Sequence, residues 1–279
     1  MNIFEKFAPA GHFYSPLPDL AAVKRKRDKL FDRTQKELPG INVRDQEQRQ
    51  LLDRLCQYYG DLPFKDERQT GLRYFYNNSA YNQGDAFMLY AMIRHWRPRR
   101  IIEVGSGYSS AATLDTNELF LENKIDCTFI EPYPELLFSR LKPDDRERHN
   151  FIDQPLQEID LKIFNQLAAN DILFIDSTHV AKIGSDVNYL LFEILPRLQP
   201  GVIIHIHDII FPFEYPEDWV MSGRAWNEAY LLRAFLQFNH DFEIMMWNDY
   251  IGRFYREEYM DKIPSFFINP GGSLWIKKN

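Results

Sequence analysis

Four short apolar runs in the chain end in acidic or ionisable residues. They are "RIIEVG", "TFIEP", "LFIDSTH" and "IHIHD". They place Glu103, Glu131, Asp176 with His179, and His207 with Asp208 where strands would finish. Gly105 and Gly107 stand one residue apart just after Glu103. Paired glycines let a chain turn sharply and approach a ligand closely. A carboxylate two residues before such a turn would repel phosphate, so the pattern points to a ligand carrying positive charge. Imidazole and carboxylate at two neighbouring strand ends are the groups that take a proton near neutral pH. His205, one residue pair deeper in its strand, reads as structural.

The elements that must position these residues alternate. "GDAFMLYAMIRHWRP" reads as a helix with Asp85 as its cap and Pro98 as its stop. Strands follow at "RIIEV", "DCTFIE", "FID" (151–153), "DILFID" (171–176) and "GVIIHIHD" (201–208). Between them lie helices from about 108 to 122 and over "PELLFSRL", "LKIFNQLAA" and "DVNYLLFEILPRL". The helix "AWNEAYLLRAFLQF", then strands "FEIMMW" and "SLWIKK", close the chain. Short continuous apolar strands alternating with helices imply an α/β fold with a mostly parallel sheet covered on both faces. Ligands of such sheets sit beyond the carboxyl ends of the strands. Residues 1–80 lack strand-like runs and read as a helical extension, a cap over the pocket or a dimer face. Residues 81–279 carry the sheet.

The sequence "EVGSGYSS" followed by "FIEPYPE" resembles the class I S-adenosylmethionine-dependent methyltransferases. These have an acid and GxG at the end of the first strand, and a second acid at the end of the next. The resemblance covers about residues 84–279, with "DILFID" as the motif after the fourth strand, and is nearest to small-molecule O-methyltransferases with a helical N-terminal extension. Ser109 stands where the family often has a third glycine. The resemblance implies a Rossmann-like sheet with its last strand antiparallel and S-adenosylmethionine as cofactor. It implies contacts from Tyr81, Glu103, Gly105, Ser106, Gly107, Ser109, Glu131 and Asp176. Glu103 would help hold the ammonium through water or backbone, the 105–109 turn the carboxylate, and Glu131 the ribose hydroxyls.

For the chemistry, His179, His207 and Asp208 are the candidates to take a proton from an acceptor hydroxyl. Catechol O-methyltransferase-like relatives instead place a divalent metal where Asp176, His207 and Asp208 fall, and imidazole at 207 disfavours an all-oxygen magnesium site. The segment "FPFEYPEDWVMSGRAW" (211–226) suits a loop over the pocket, with Phe213, Tyr215 and Trp219 lining an acceptor site. A non-catalytic S-adenosylmethionine-binding protein and a nicotinamide-dependent oxidoreductase are the alternatives. Glu103 and the missing third glycine speak against the latter.

The net charge of −7 argues against a nucleic-acid groove as the main function. The basic run "KRKRDK" at 24–29 reads as a solvated face. Cys56 and Cys127 are the only cysteines and build neither a disulfide framework nor a zinc cluster. No signal peptide or membrane span is visible. The expectation is a cytoplasmic enzyme and candidate homodimer acting on a small molecule.

Overall fold

The apolar runs form one sheet of seven strands. The computed structural model describes residues 3–279. Its strands are β1 (Arg100–Val104), β2 (Asp126–Ile130), β3 (Asn150–Ile152), β4 (Ile172–Ile175), β5 (Ile203–Ile206), β6 (Phe242–Trp247) and β7 (Leu274–Lys278). They lie in the order β3-β2-β1-β4-β5-β7-β6. The first five pair in parallel, and β7 is antiparallel to both β5 and β6. The central strands are buried along their length, which is why they read as unbroken apolar runs. From β1 the chain steps outward to β2 and β3, then crosses back to β4 on the other side. The carboxyl ends of β1 and β4 therefore border the crevice where strand order reverses.

The main helices are α1 (Asp45–Leu55), α2 (Gln83–Trp96), α3 (Tyr108–Leu121), α4 (Glu228–Leu236) and α5 (Asn248–Phe254). Every residue of α2 from Gly84 to Ile93 is buried. A helix enclosed all round needs cover on both sides. Here α3 packs on one side, and the N-terminal segment brings α1, Phe64 and Tyr74. Asp85 is not a surface cap. It is buried inside this layer, where its Oδ1 accepts from Ser273 N at 3.1 Å and Ser273 Oγ at 2.6 Å.

Residues before 80 are bound to the sheet-bearing part by a buried ion network. Arg73 Nη1 donates to Asp115 and Glu118, each at 2.8 Å, and Arg73 Nε donates to Asp145 at 2.8 Å. Asp115 Oδ2 also accepts from the backbone N–H groups of Arg73 and Tyr74. Removing one side of such a network strands buried charge and costs about 3–5 kcal/mol. At the other sheet edge, Gln48 of α1 accepts from Trp247 N at 2.8 Å. The run at 24–29 is exposed.

Several helices are shorter than the sequence promises. The first basic segment is helical only over Leu20–Arg25 and Arg27–Leu30. "PELLFSRL" is helical only over Glu135–Phe138, where Leu137 alone is buried and so gives little apolar face. "LKIFNQLAA" is a 3-10 segment, Leu161–Gln166. The run from Asp186 passes from an α turn into a π segment at Leu190–Ile194, then a 3-10 turn containing Pro196, which lacks a backbone N–H. The third strand begins one residue earlier than expected, at Asn150. The helices over Asn248–Tyr259 were not foreseen. Among the described residues no helix is long and apolar enough to cross a membrane.

Candidate cofactor and catalytic site

The turn after β1 has a conformation only glycine accommodates. Gly105 has φ of +77°, and a Cβ there would stand 1.8 Å from the carbonyl oxygen of Asp176. That close approach locks the ends of β1 and β4 together, with Asp176 N donating to Val104 O at 2.8 Å. Glu131, just past β2, is fixed from two sides. Its Oε2 accepts from Ser106 N at 3.1 Å and its Oε1 from Tyr133 N at 2.8 Å. Gly107 N donates to Ser110 Oγ at 3.0 Å, and α3 begins at the next residue. The first-turn N–H groups of a helix have no carbonyl partner within it and favour an anion.

Two adjoining clefts of about 240 and 320 Å³ meet at this point, sharing Gly105, Glu131, Asp176 and Ser177. The first is bordered by Tyr81, Ser106 and the start of α3. The second is lined by Ile130, Pro132, Pro155 and Leu156 and is more apolar. An elongated ligand would lie across both with its middle at Glu131. Of the sequence-predicted contacts, Tyr81, Gly105, Ser106, Gly107, Ser109, Glu131 and Asp176 all border these clefts. The Ser106 hydroxyl is buried without a partner.

Glu103 lies deeper than the other implied contacts. It is fully buried beneath the turn and does not line either cleft. Its Oε1 accepts from Ser109 Oγ at 2.5 Å and Ser110 Oγ at 2.9 Å, while Oε2 has no partner. Burial pushes its carboxyl up to about 8, against the two hydroxyls that favour ionisation. Glu103 therefore braces the start of α3 against β1 and does not reach the ligand's ammonium directly.

The histidines also sit differently. Sequence placed His207 at the mouth, yet it is only 4% exposed, and His179 6%. In front of them stand the side chains of Asp176, 33% exposed, and Asp208, 21% exposed. His207 Nε2 lies 3.6 Å from Asp208 Oδ1, and its Nδ1 is buried without a partner. Burial works against charging His207, but Asp208, Asp176 and Asp85 outweigh it and raise its pKa. His179 is not a free base. Its Nδ1 is 2.9 Å from Glu228 Oε2, and its Nε2 is 3.4 Å from Asp176 Oδ1 and 3.8 Å from Asp208 Oδ2. Burial opposes its charge, yet Asp176 and Glu228 raise its pKa to about 10. Burial also acts to raise the pKa of Asp176, but the facing His207 and His179 leave it below the ordinary carboxylate value.

His205 is structural, as expected. Its Nε2 meets Ser273 Oγ at 2.9 Å and its ring stacks on Phe174. Among the described residues no group of three or more His, Cys, Asp or Glu side chains is arranged to hold a metal ion. The set Asp176, His207 and Asp208 is instead engaged in imidazole–carboxylate pairs. Phe213 is a core residue against Trp247, not a pocket wall. Tyr215 is buried, its hydroxyl accepting from Ala229 N at 3.0 Å, and it lines a separate cleft with Val220, Trp226 and residues of the N-terminal extension. Trp219 packs edge-on to Trp226, which covers the His179 ring at 4.3 Å between centroids. The 211–226 segment does meet the N-terminal extension, through Arg27 to Glu217 at 2.9 Å.

Sequence reasoning missed Glu228, Asn227 and Trp226, which reach His179 across 47 to 49 positions of chain. An acid in a first helical turn has an ordinary explanation in the helix dipole, so no local signal marks it. The apolar wall at Pro155 and Leu156 was also missed, since nothing in "FIDQPLQ" distinguishes it from a loop.

The strand order, the glycine turn held to β4 and the acid at the end of β2 define a Rossmann-like methyltransferase. A family model described as "Methyltransferase domain" matches residues 102–209, the segment from β1 through β5. An uncharacterized protein of Archaeoglobus fulgidus is 38% identical over 176 residues, covering 60% of this chain and 76% of its own length. The chain belongs to the class I S-adenosylmethionine-dependent methyltransferases. Among solved structures, it is similar to the O-methyltransferase TomG of Streptomyces achromogenes in complex with S-adenosylmethionine. That likeness has 14% identity, covers 92% of this chain and 96% of the other, and has a TM-score of 0.45. It is also similar to the S-adenosylhomocysteine-bound methyltransferase PaMTH1 of Podospora anserina, at 15% identity, 70% and 77% coverage and a TM-score of 0.45. Overlays this loose carry no weight beside the strand order.

Proposed function

We propose that the protein transfers a methyl group from S-adenosylmethionine to a hydroxyl oxygen of a small molecule, with Asp208 taking the proton beside His207. The observation that supports this is Glu131. Two backbone N–H groups fix its carboxylate where the clefts meet, and a carboxylate has about four acceptor positions, so about two stay free for ribose hydroxyls. The methionine end would lie toward Ser106 and the start of α3, whose N–H groups suit its carboxylate. The adenine would lie against Ile130, Pro132 and Leu156. The residues fit the cofactor, since the Ser106 hydroxyl lacks a partner and the Glu131 carboxylate faces the junction of the clefts.

When bound, the cofactor supplies an electrophilic methyl carbon beside a positive sulfur. Asp176 borders both clefts on the side where that positive group would face, and the partly exposed Asp208 shares His179 Nε2 with it. Asp208 is the carboxylate placed to accept the proton of the acceptor hydroxyl, with His207 Nε2 3.6 Å from its Oδ1 to hold it in position. Burial of the histidines keeps water from competing for the proton.

The test is calorimetric titration of the full chain with S-adenosylmethionine, S-adenosylhomocysteine, NAD and NADP. Transfer of labelled methyl to a panel of phenols and sugars follows. Binding of the first two ligands alone, with label on oxygen, agrees with the proposal. Binding of NAD without S-adenosylmethionine, or label on nitrogen or carbon only, overturns it.

A further inference from the structure

We infer that Glu228 is a positioning residue of this site, fixing His179 as the cation that faces Asp176 and Asp208. The inference rests on the reading of Asp208 as proton acceptor given above. Glu228 opens α4 and is buried, with both oxygens engaged. Oε2 lies 2.9 Å from His179 Nδ1, and Oε1 accepts from Ser177 Oγ at 2.9 Å.

The backbone around His179 is held as tightly as its ring. His179 has φ of +60°, a left-handed conformation that a non-glycine residue keeps only when its surroundings enforce it. Its carbonyl accepts from Asn227 N at 3.0 Å and Glu228 N at 3.2 Å, and its N–H donates to Ser177 Oγ at 3.1 Å. The Asn227 side chain accepts from Ala181 N at 2.6 Å and donates to Ala181 O at 3.2 Å. The first turn of α4 thus grips the loop after β4, and Trp226 closes over the imidazole.

The groups facing the imidazole are Glu228 from α4, Asp176 from the end of β4 and Asp208 from the end of β5. His207 stands on the far side of Asp208. A neutral imidazole donates through one nitrogen only, whereas the imidazolium donates through both. Here both ring nitrogens face carboxylates and neither faces a donor, so the geometry itself selects the cation. Burial acts to raise the pKa of Asp176, and His207 and His179 together hold it below the ordinary carboxylate value.

The test is nitrogen NMR of the histidine side chains in the full chain, from about pH 6 to pH 9. In the unaltered protein His179 is expected as imidazolium across that range. Glu228→Gln is expected to lower its proton affinity about tenfold or more, and Glu228→Asp to restore most of it. If Glu228→Gln does not fold, Glu228→Asp, whose shorter side chain reaches Nδ1 less closely, should lower it in the same direction by less. A neutral His179 near pH 7, or titration unchanged in the folded variants, overturns the inference. S-adenosylhomocysteine is titrated into the same samples as probe. Its failure to bind the unaltered protein would overturn the cofactor reading, whereas the NMR result bears on Glu228 alone.

Discussion

Replacing Glu131 by alanine tests the heart of the cofactor site. The carboxylate has two internal partners, Ser106 N at 3.1 Å and Tyr133 N at 2.8 Å, and faces the junction of the two clefts. Hydrogen bonds to a charged group contribute about 1.5–3 kcal/mol each. Glu131 is only half-buried, so water replaces part of that on truncation. The net loss in binding S-adenosylhomocysteine should be about 1–3 kcal/mol, or roughly 5- to 150-fold. The fold should suffer less, because Tyr133 is exposed and its N–H can turn to water. A loss of up to about 1 kcal/mol in stability is expected. Calorimetry on the unaltered protein, Glu131→Ala and Glu131→Gln, with melting curves on each, separates the two effects. Glu131→Gln keeps one oxygen and should fall between the others. Unchanged affinity in a folded Glu131→Ala protein would refute the reasoning.

Arg73→Ala should cost about 3–5 kcal/mol in urea unfolding, because Asp115 and Asp145 stay buried without their cation. Glu103 should make the ligand-free protein less stable as pH rises. Its carboxyl is held up to about 8 in the fold against an ordinary 4.5, so its cost is absent below pH 4.5 and grows as pH climbs through that window. Glu103→Gln should flatten the fall in melting curves taken across that range. His207→Gln should slow methyl transfer about 10²- to 10⁴-fold while leaving S-adenosylhomocysteine affinity within a factor of about 2; an equal loss of both would place His207 in binding instead.

The fold was legible because its strands are buried on both faces and leave continuous apolar runs such as "DILFI" and "GVIIHI". The cofactor cradle was legible for a related reason, since Gly105 and Glu131 are local necessities of a turn and a strand end. Depth was not legible. Glu103, His179 and His207 all occupy strand-end positions, yet which atoms face the cleft depends on what covers them. Ser109 and Ser110 claim Glu103, and Asp176 and Asp208 stand before the histidines. Glu228 and Trp226 come from an element far along the chain, and only the packing of α4 against the loop after β4 brings them in. Helix lengths failed where amphipathic pattern was thin, as at Glu135–Phe138.

A crystal structure of the protein with S-adenosylhomocysteine tests the central claim most directly. The account predicts both ribose hydroxyls within hydrogen-bond distance of the Glu131 carboxylate, the adenine against Leu156, and the amino-acid carboxylate at the start of α3. The sulfur should face the mouth bordered by Asp176 and Asp208. A ligand bound elsewhere, or in the same cleft with its ribose turned away from Glu131 and its sulfur away from Asp208, would contradict it.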